Sequence, residues 1–162
     1  MMQVPDDLCQ GQRQRHRLRV YYEDTDTAGI VYYANYLRFL ERGRTEFLRT
    51  MGFQQQQLMQ ENIAFAVTTI TANYRQPARL DDSLEVDTGI EGLRRAQLVF
   101  DQRIWRGDTL LLDAKIGVAC LDAQSGKPIA MRQDIHQQFK RWAILPLTIT
   151  TADTGKSTSA RN

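Results

Sequence analysis

The fold is decided by residues 21–48, which read YYEDTDTAGIVYYANYLRFLERGRTEFL. In the second half of this stretch, apolar side chains recur every three or four residues, which is the period of an α-helix with one buried face. The members of this apolar stripe are Tyr36, Leu40, Gly43, Phe47 and Met51, with Leu37 and Leu48 beside it. We predict Asn35 as the N-cap and Gly52 as the C-terminal stop. Because Gly43 costs a helix about 1 kcal/mol relative to alanine, we expect close packing there, against a sheet or another chain.

The chain on either side of this helix has the two-residue period of β-strands. Residues 15–22 alternate before the helix, and residues 63–75 are rich in β-branched and small side chains after it. Further apolar alternations follow at residues 84–90, 98–104 and 112–120. The connections between these strands are short, which favours hairpins and an antiparallel sheet. The order predicts an α+β domain in which the helix lies on one face of a curved sheet.

Length and composition favour one soluble domain. The 162 residues include 21 Lys and Arg against 19 Asp and Glu, and a formal net charge of +2 makes no general case for nucleic acid or an anionic membrane. No apolar run approaches the roughly 18 residues of a membrane span, and the N-terminus lacks the apolar core of a signal peptide. We therefore expect a cytoplasmic protein with no transmembrane segment.

We predict one domain at residues 15–142 between a disordered tail at 1–14 and a flexible tail at 143–162. The first tail is polar without periodicity, and seven of the last 16 residues are Ser or Thr, so neither can bury much apolar surface. Cys9 and Cys120 form no disulfide framework, and we expect Cys120 to be a buried strand residue. With two histidines in the chain, we expect no metal site and no cofactor.

The loop before the helix is the strongest candidate for a chemical site. Its three carboxylates, Glu23, Asp24 and Asp26, lie between a strand and the helix start. A helix start offers unpaired N–H groups and a partial positive charge. A carboxylate that attacks a carbonyl or activates water, beside N–H groups that polarise that carbonyl, makes a useful catalytic pair. A solvated acidic turn is the alternative interpretation.

Three metal or phosphoryl interpretations of the loop fail. The spacing Asp24-x-Asp26-x-x-Gly29 is similar to the opening of an EF-hand, but Ala28 stands at a ligand position and Asn35 where the closing glutamate belongs. Haloacid-dehalogenase phosphatases need a parallel, doubly wound sheet, and glycosyltransferases with Asp-x-Asp meet the same objection. The chain also contains no G-x-S-x-G motif and no P-loop.

Residues 21–48 resemble the hotdog-fold acyl-CoA thioesterases, and more narrowly the Tol–Pal-associated (YbgC-type) branch of the 4-hydroxybenzoyl-CoA thioesterase family. Residues 74–82, which read YRQPARLDD, match as well, and so does the hairpin at 93–100. The resemblance covers about residues 15–140. It implies a long central helix wrapped by a five-stranded antiparallel sheet. It also implies homodimers that pair their sheets edge to edge, assemble into homotetramers and hold their active sites at the dimer interface.

By position, the resemblance makes Asp26 the catalytic carboxylate, acting as nucleophile or as general base on water. The backbone at Tyr33 and Ala34 would polarise the thioester carbonyl, Tyr22 would lie near the acid, and Gly29 is assigned to substrate binding. Many relatives in the Tol–Pal-associated branch have His where this chain has Tyr33. The bacterial 4-hydroxybenzoyl-CoA enzyme has Tyr there, so the subfamily and the substrate are left open.

Arg94 and Arg95 align with the basic hairpin that holds coenzyme A phosphates in the aromatic thioesterase. Adjacent arginines suit a bidentate grip on phosphate, and Arg75 or Arg79 could serve instead.

The resulting hypothesis is a cytoplasmic thioester hydrolase that releases free acid and coenzyme A from an acyl-CoA. The alternative is a non-hydrolytic binding module for acyl-CoA or acyl carrier protein, linked to envelope or lipid metabolism. A hotdog dehydratase would need a His near the helix, and a metal-dependent phosphatase is the weakest option. Acyl chain length and the choice between aromatic and aliphatic substrates are left open.

Overall fold

The protein is described here, over residues 12–143, by a computed structural model. The tail predictions therefore lie outside the described residues, except at residues 12–14 and 143. The elements in chain order are β1 (Gln14–Arg19), a 3-10 turn (Tyr22–Asp24), α1 (Asn35–Thr50), α2 (Gln55–Gln60), β2 (Ile63–Tyr74), β3 (Ser83–Leu93), β4 (Gln97–Arg106), β5 (Thr109–Asp122) and α3 (Gln133–Trp142).

The strands form one antiparallel sheet in the order β1-β3-β4-β5-β2. β1 and β2 flank α1 in sequence but lie at opposite edges of the sheet. The prediction of a long helix with a five-stranded antiparallel sheet is confirmed. The short helices α2 and α3 were not predicted. α2 buries one side chain, Leu58, and carries almost no apolar pattern, whereas α3 buries Ile135, Phe139 and Trp142 at a helical spacing that was missed. Within residues 12–143, no helix is both long and apolar enough to cross a membrane.

The core lies between α1 and one face of the sheet, as the two periodicities predict. Phe47 of α1 meets the ring of Phe100 in β4 edge-on, with 5.8 Å between centroids. Cys120 is buried in β5, and burial raises the pKa of its thiol. The predicted apolar positions that are buried are Tyr36, Leu40, Gly43, Phe47 and Leu48 on α1, Met51 directly after it, and Leu84, Val86, Ile90, Leu98, Phe100, Ile104, Leu112, Ala114, Ile116 and Val118 on the strands.

The helix approaches the sheet closely at Gly43. A Cβ atom at this position would lie 2.5 Å from Val86 Cγ1 and 3.0 Å from Thr88 Oγ1. Both distances are too short for a packed carbon atom, so the helix can lie this close to β3 because Gly43 has no side chain. The expected close packing is confirmed, and its partner is the sheet.

A buried amide ties the helix to the sheet next to Gly43. Gln102 in β4 is fully buried and donates from Nε2 to the backbone oxygen of Leu40 (3.0 Å) and to Thr88 Oγ1 (2.9 Å). Its Oε1 accepts a hydrogen bond from Arg44 Nη1 at 2.9 Å. The polar atoms of Gln102 are thus paired, which a buried amide requires.

The two ends of α1 differ in how well the sequence predicts them. Gly52, with φ of +93°, follows the last turn and ends the helix as predicted. Asn35 is wrong as the N-cap, because that position is Ala34 and Asn35 is the first helical residue. The Asn35 amide instead donates from Nδ2 to the backbone oxygen of Asp24 at 2.8 Å, so it links the helix to the preceding loop.

Two residues assigned to the disordered tail belong to the fold. Gln14 is the first residue of β1, and Arg13 donates to Asp87 Oδ1 at 2.7 Å and to Asp101 Oδ2 at 2.8 Å. Both carboxylates are buried. The predicted boundary is wrong here, because the partners of Arg13 lie more than 70 positions away and leave no local pattern.

Charged side chains cover the sheet face opposite α1. Asp101 accepts hydrogen bonds from Arg13 and from Lys115 Nζ, the latter at 3.0 Å. Burial raises the pKa of Asp101, but these hydrogen bonds outweigh burial and hold the net pKa below the ordinary carboxyl value. Asp113 accepts from Arg75 Nε at 2.5 Å, which lowers the pKa of that carboxyl as well.

We predict that Gly43→Ala lowers the free energy of unfolding. Overpacking against Val86 costs about 1–3 kcal/mol, which exceeds the gain of up to about 1 kcal/mol in helix propensity. Urea unfolding followed by circular dichroism measures the change. Gly92→Ala is the matched control, since its Cβ would lie 3.8 Å from Val99, an ordinary contact. Equal stability of Gly43→Ala and wild type would contradict the close approach.

We predict that Asp101→Asn weakens the loss of stability in acid. A carboxyl with a lowered folded pKa stabilises the fold fully above its unfolded pKa of about 3.9, and this contribution disappears as the pH falls through the folded pKa. The free energy of unfolding should therefore fall less for the variant than for wild type between about pH 6 and about pH 2.5.

Urea titrations at each pH give the comparison. Asp108→Asn is the control, because Asp108 is exposed in the turn between β4 and β5 and has no ion pair within residues 12–143. An Asp101→Asn protein with the wild-type acid dependence would refute the prediction.

Candidate active site

The loop between β1 and α1 closes on itself just before the helix. Thr25 and Val31 form an antiparallel bridge around a turn that contains Asp26 and Gly29. The N–H of Asp26 donates to the oxygen of Ile30 at 2.9 Å, and the N–H of Gly29 donates to the oxygen of Asp26 at 3.0 Å. Gly29 has φ of +78°, a left-handed conformation that glycine adopts without strain.

The structure separates the three loop carboxylates. Asp24 is buried, and its Oδ2 accepts the N–H of Tyr21 at 2.8 Å, so it supports the loop. Asp26 is exposed, and its Oδ1 accepts the N–H groups of Ala28 at 2.8 Å and Ile30 at 3.4 Å, so the carboxylate is tied to its own turn. Glu23 is also exposed and has no ion pair among residues 12–143. Asp26 is thus both accessible and held by its own turn.

The helix start presents two adjacent free donors. The N–H groups of Tyr32 and Asn35 donate to the backbone oxygens of Asp24 (3.1 Å) and Tyr32 (2.8 Å). The N–H groups of Tyr33 and Ala34, between them, have no hydrogen-bond partner in the described part of the chain. They lie at the positive end of α1, where an oxygen that gains negative charge is stabilised.

An apolar cleft of about 260 Å³ opens beside the helix start. Tyr74 closes one side, donates from its hydroxyl to the backbone oxygen of Tyr33 at 3.0 Å, and meets the ring of Tyr36 edge-on at 5.4 Å. Partial burial raises the pKa of Tyr74 above its ordinary value. Reasoning from sequence missed Tyr74 as a site residue, although it begins the matched segment 74–82. The cleft is lined by Val31, Tyr33, Tyr36, Tyr74, Arg75, Gln76 and Pro77.

The two tyrosines predicted for the site have exposed side chains. Tyr22 is 83% exposed in the 3-10 turn, and Tyr33 is 63% exposed with its ring 4.8 Å from that of Tyr32. Neither hydroxyl bonds to Asp26 within the described residues. The structure therefore brings the backbone of Tyr33 and Ala34 into one loop with Asp26, but leaves both phenol rings facing solvent.

Arg94 and Arg95 lie far from this loop. They are exposed in the turn between β3 and β4, and their guanidinium groups have no partner among residues 12–143. β3 begins near the loop, where Ser83 pairs with Arg19, and its eleven residues extend roughly 30 Å to the opposite end. One chain thus holds Asp26 and these arginines at opposite ends of the sheet.

An antiparallel sheet curved around one long helix, with a carboxylate loop at the start of that helix, is the hotdog architecture. The chain belongs to the Thioesterase-like superfamily, whose family model matches residues 20–139. The resemblance inferred from residues 21–48 is confirmed.

Relatives of this chain are known from both curated proteins and solved structures. The acyl-CoA thioester hydrolase YbgC of Escherichia coli O6:H1 is 49% identical over 128 residues, 78% of this chain and 96% of that protein. The acyl-CoA thioesterase YbgC of Haemophilus influenzae is 45% identical over 123 residues, 75% of this chain and 90% of that protein. The crystal structure of a "probable thioesterase" from Bartonella henselae has a TM-score of 0.71 at 36% identity, and covers 75% of this chain and 100% of that one.

Proposed function

We propose that this protein is a cytoplasmic acyl-CoA thioesterase that hydrolyses the thioester to free acid and coenzyme A. The YbgC relatives, at 49% and 45% identity, support the reaction class. The observation that carries the proposal is the exposed carboxylate of Asp26, held in the same loop as the free N–H groups of Tyr33 and Ala34.

In the proposed reaction, the thioester oxygen accepts a hydrogen bond from Tyr33 or Ala34 N–H. Asp26 then attacks the carbonyl carbon, or takes a proton from a water molecule that attacks it. The tetrahedral intermediate expels the thiolate of coenzyme A. In the general-base route the thiolate takes the proton that Asp26 removed from water. After direct attack the thiolate takes a proton from solvent, and a second water molecule hydrolyses the mixed anhydride and regenerates Asp26. Backbone donors at the positive end of a helix stabilise the oxyanion formed in either route.

The remaining loop residues shape the approach to this carboxylate. Gly29 has no side chain, so in the proposal it leaves room for the acyl group beside Asp26. Tyr22 offers a large exposed ring on the same loop and forms a wall of the occupied site. The cleft bordered by Tyr33 and Tyr74 adjoins the same donors and receives part of the substrate.

The two sheet edges point to a homodimer. Natural sheets protect a free edge with charges or proline. β1 carries three arginines in six residues, whereas the twelve residues of β2 (IAFAVTTITANY) include no charge and no proline. Val67 and Ile70 on β2 are 43% and 44% exposed. We propose that β2 pairs with β2 of a second copy, and that two such dimers form a homotetramer.

Antiparallel pairing of two β2 strands would also complete the site. In this pairing the strands of the second sheet run in the opposite direction. The β3–β4 connection of the second copy, which contains Arg94 and Arg95, therefore lies at the same end of the dimer as Asp26 of the first copy. A coenzyme A molecule with its thioester at Asp26 could then reach those arginines with its phosphates, which guanidinium groups bind in bidentate fashion. Each site would take its carboxylate from one copy and its arginines from the other.

We predict that Asp26→Asn lowers kcat at least about 100-fold, because it removes the nucleophile or base but keeps the side-chain shape. Thiol release is measured with short, long and aromatic acyl-CoAs and with acyl carrier protein thioesters. Glu23→Gln is the matched control from the same loop and should keep wild-type turnover. Near-wild-type turnover of Asp26→Asn would refute the assignment. Ligand binding without hydrolysis by the wild type would favour a binding module.

We predict that two inactive variants restore each other when mixed. One chain carries Asp26→Asn and the other carries Arg94→Ala with Arg95→Ala. Random assortment should recover about a quarter of the wild-type sites at low substrate concentration, because half of the dimers are mixed and each holds one complete site.

Mass spectrometry confirms that mixed dimers form in the sample. As a control, a chain with all three substitutions is mixed with the double arginine variant, a pair that can form no complete site. The shared site is contradicted if mixed dimers form and activity does not return.

A further inference from the structure

Residues 77–82 (PARLDD) connect β2 to β3 and pack against the loop that contains Asp26. We call this segment the strap. We propose, on the basis of the function proposed above, that Asp82 and Arg106 are positioning residues, which hold Asp26 and the start of α1 in reactive alignment through the strap.

The strap forms backbone hydrogen bonds with the loop on either side of Ile30, in the second half of the turn that contains Asp26. Val31 N–H donates to the oxygen of Ala78 at 2.9 Å, and Leu80 N–H donates to the oxygen of Gly29 at 3.2 Å. These bonds alternate in direction, as between neighbouring antiparallel strands. The turn that presents Asp26 therefore follows any movement of the strap.

The same strap residue also contacts the helix. Ala78 is fully buried, and its N–H donates to the hydroxyl of Tyr36 in the first turn of α1 at 2.9 Å. Ala78 thus joins the helix start to the Asp26 loop through its own peptide groups. The distance between the carboxylate and the free N–H groups at the helix start depends on this connection.

One guanidinium group anchors both ends of the strap. Arg106, the last residue of β4, donates from Nη1 to Asp82 Oδ2 at 2.9 Å and to the oxygen of Pro77 at 3.1 Å. Asp82 Oδ2 also accepts the N–H of Arg79 at 2.8 Å, which closes the strap on itself. The side chains of Arg106 and Asp82 are 33% and 22% exposed, so their charge-assisted bond is less screened than one at the open surface.

The strap conformation needs these anchors, because part of its backbone is strained. Asp81 has φ of +70°, in the left-handed region. Glycine adopts this conformation freely, and Asp does so at a smaller cost than most other residues. The N–H of Asp81 donates to the oxygen of Val20 at 3.0 Å, and its own oxygen accepts from Arg19 Nη1 at 2.8 Å. Strained conformations of this kind persist where the surrounding contacts hold them.

Loss of the Arg106 anchor would therefore change alignment more than binding. Neither Asp82 nor Arg106 borders the cleft beside the helix start. Pro77 is the strap residue that borders it, and the proposed phosphate ligands lie on another turn. A shift of about 1 Å between reacting groups can lower a rate by as much as 100-fold while the groups that bind the substrate stay in place.

The test compares Arg106→Gln, Arg106→Lys and the control Arg103→Gln. Arg103 lies on the same strand and pairs with Asp101 at 3.4 Å, on the sheet face opposite the helix. We expect Arg106→Gln to lower kcat about tenfold with KM changed less than about twofold. Arg106→Lys, which keeps the charge, should recover most of kcat, and Arg103→Gln should match wild type.

Hydrogen–deuterium exchange gives a readout that does not depend on turnover. Peptides that cover residues 26–34 should exchange faster in Arg106→Gln than in wild type, whereas peptides from the middle of α1 should not change. A folded Arg106→Gln protein with the kcat of wild type would overturn the inference. Faster exchange across the whole chain, with a matching loss of active protein, would also overturn it.

If the wild-type protein hydrolyses none of the thioesters, the proposed function itself is refuted.

Discussion

The contact between α1 and the sheet at Gly43 fixes the position of the helix, and the loop and the strap are built on that helix. The helix lies so close to β3 that a single methyl group at Gly43 would collide with Val86. Beside it, Gln102 binds the backbone of Leu40 and so sets the rotation of the helix about its axis. A helix held in this way delivers its first turn to a defined point, where Tyr36 can receive the strap.

The candidate site is a loop held between a rigid helix and a rigid sheet. Many of its backbone groups are paired with one another, with Asp24 and with the strap, while the N–H groups of Tyr33 and Ala34 have no partner in the described part of the chain. These two N–H groups and the exposed carboxylate of Asp26 belong to the same loop, and the proposed reaction uses both.

The two edges of the sheet differ in charge, and the proposed shared site depends on this difference. β1 repels edge pairing with arginines, whereas β2 offers a long uncharged strand. Antiparallel topology places the start of α1 and the turn after β3 at opposite ends of the same sheet. A second copy related by a two-fold axis reverses that direction, so the proposed assembly and the proposed phosphate site depend on the same geometry.

The helix, the strand faces, the close approach at Gly43 and the loop that contains Asp26 could be predicted from the amino-acid pattern. These follow from the spacing of neighbouring residues, which the 3.6- and 2-residue periods report directly. Three findings needed the packed chain: Asp24 is buried while Asp26 is exposed, Asn35 binds the loop and does not cap the helix, and Arg13 belongs to the domain. The contacts of the strap also could not be predicted from the sequence. These contacts join residues that lie tens of positions apart, and the chain brings such residues together only when the helix and sheet pack, so no local pattern could have predicted them.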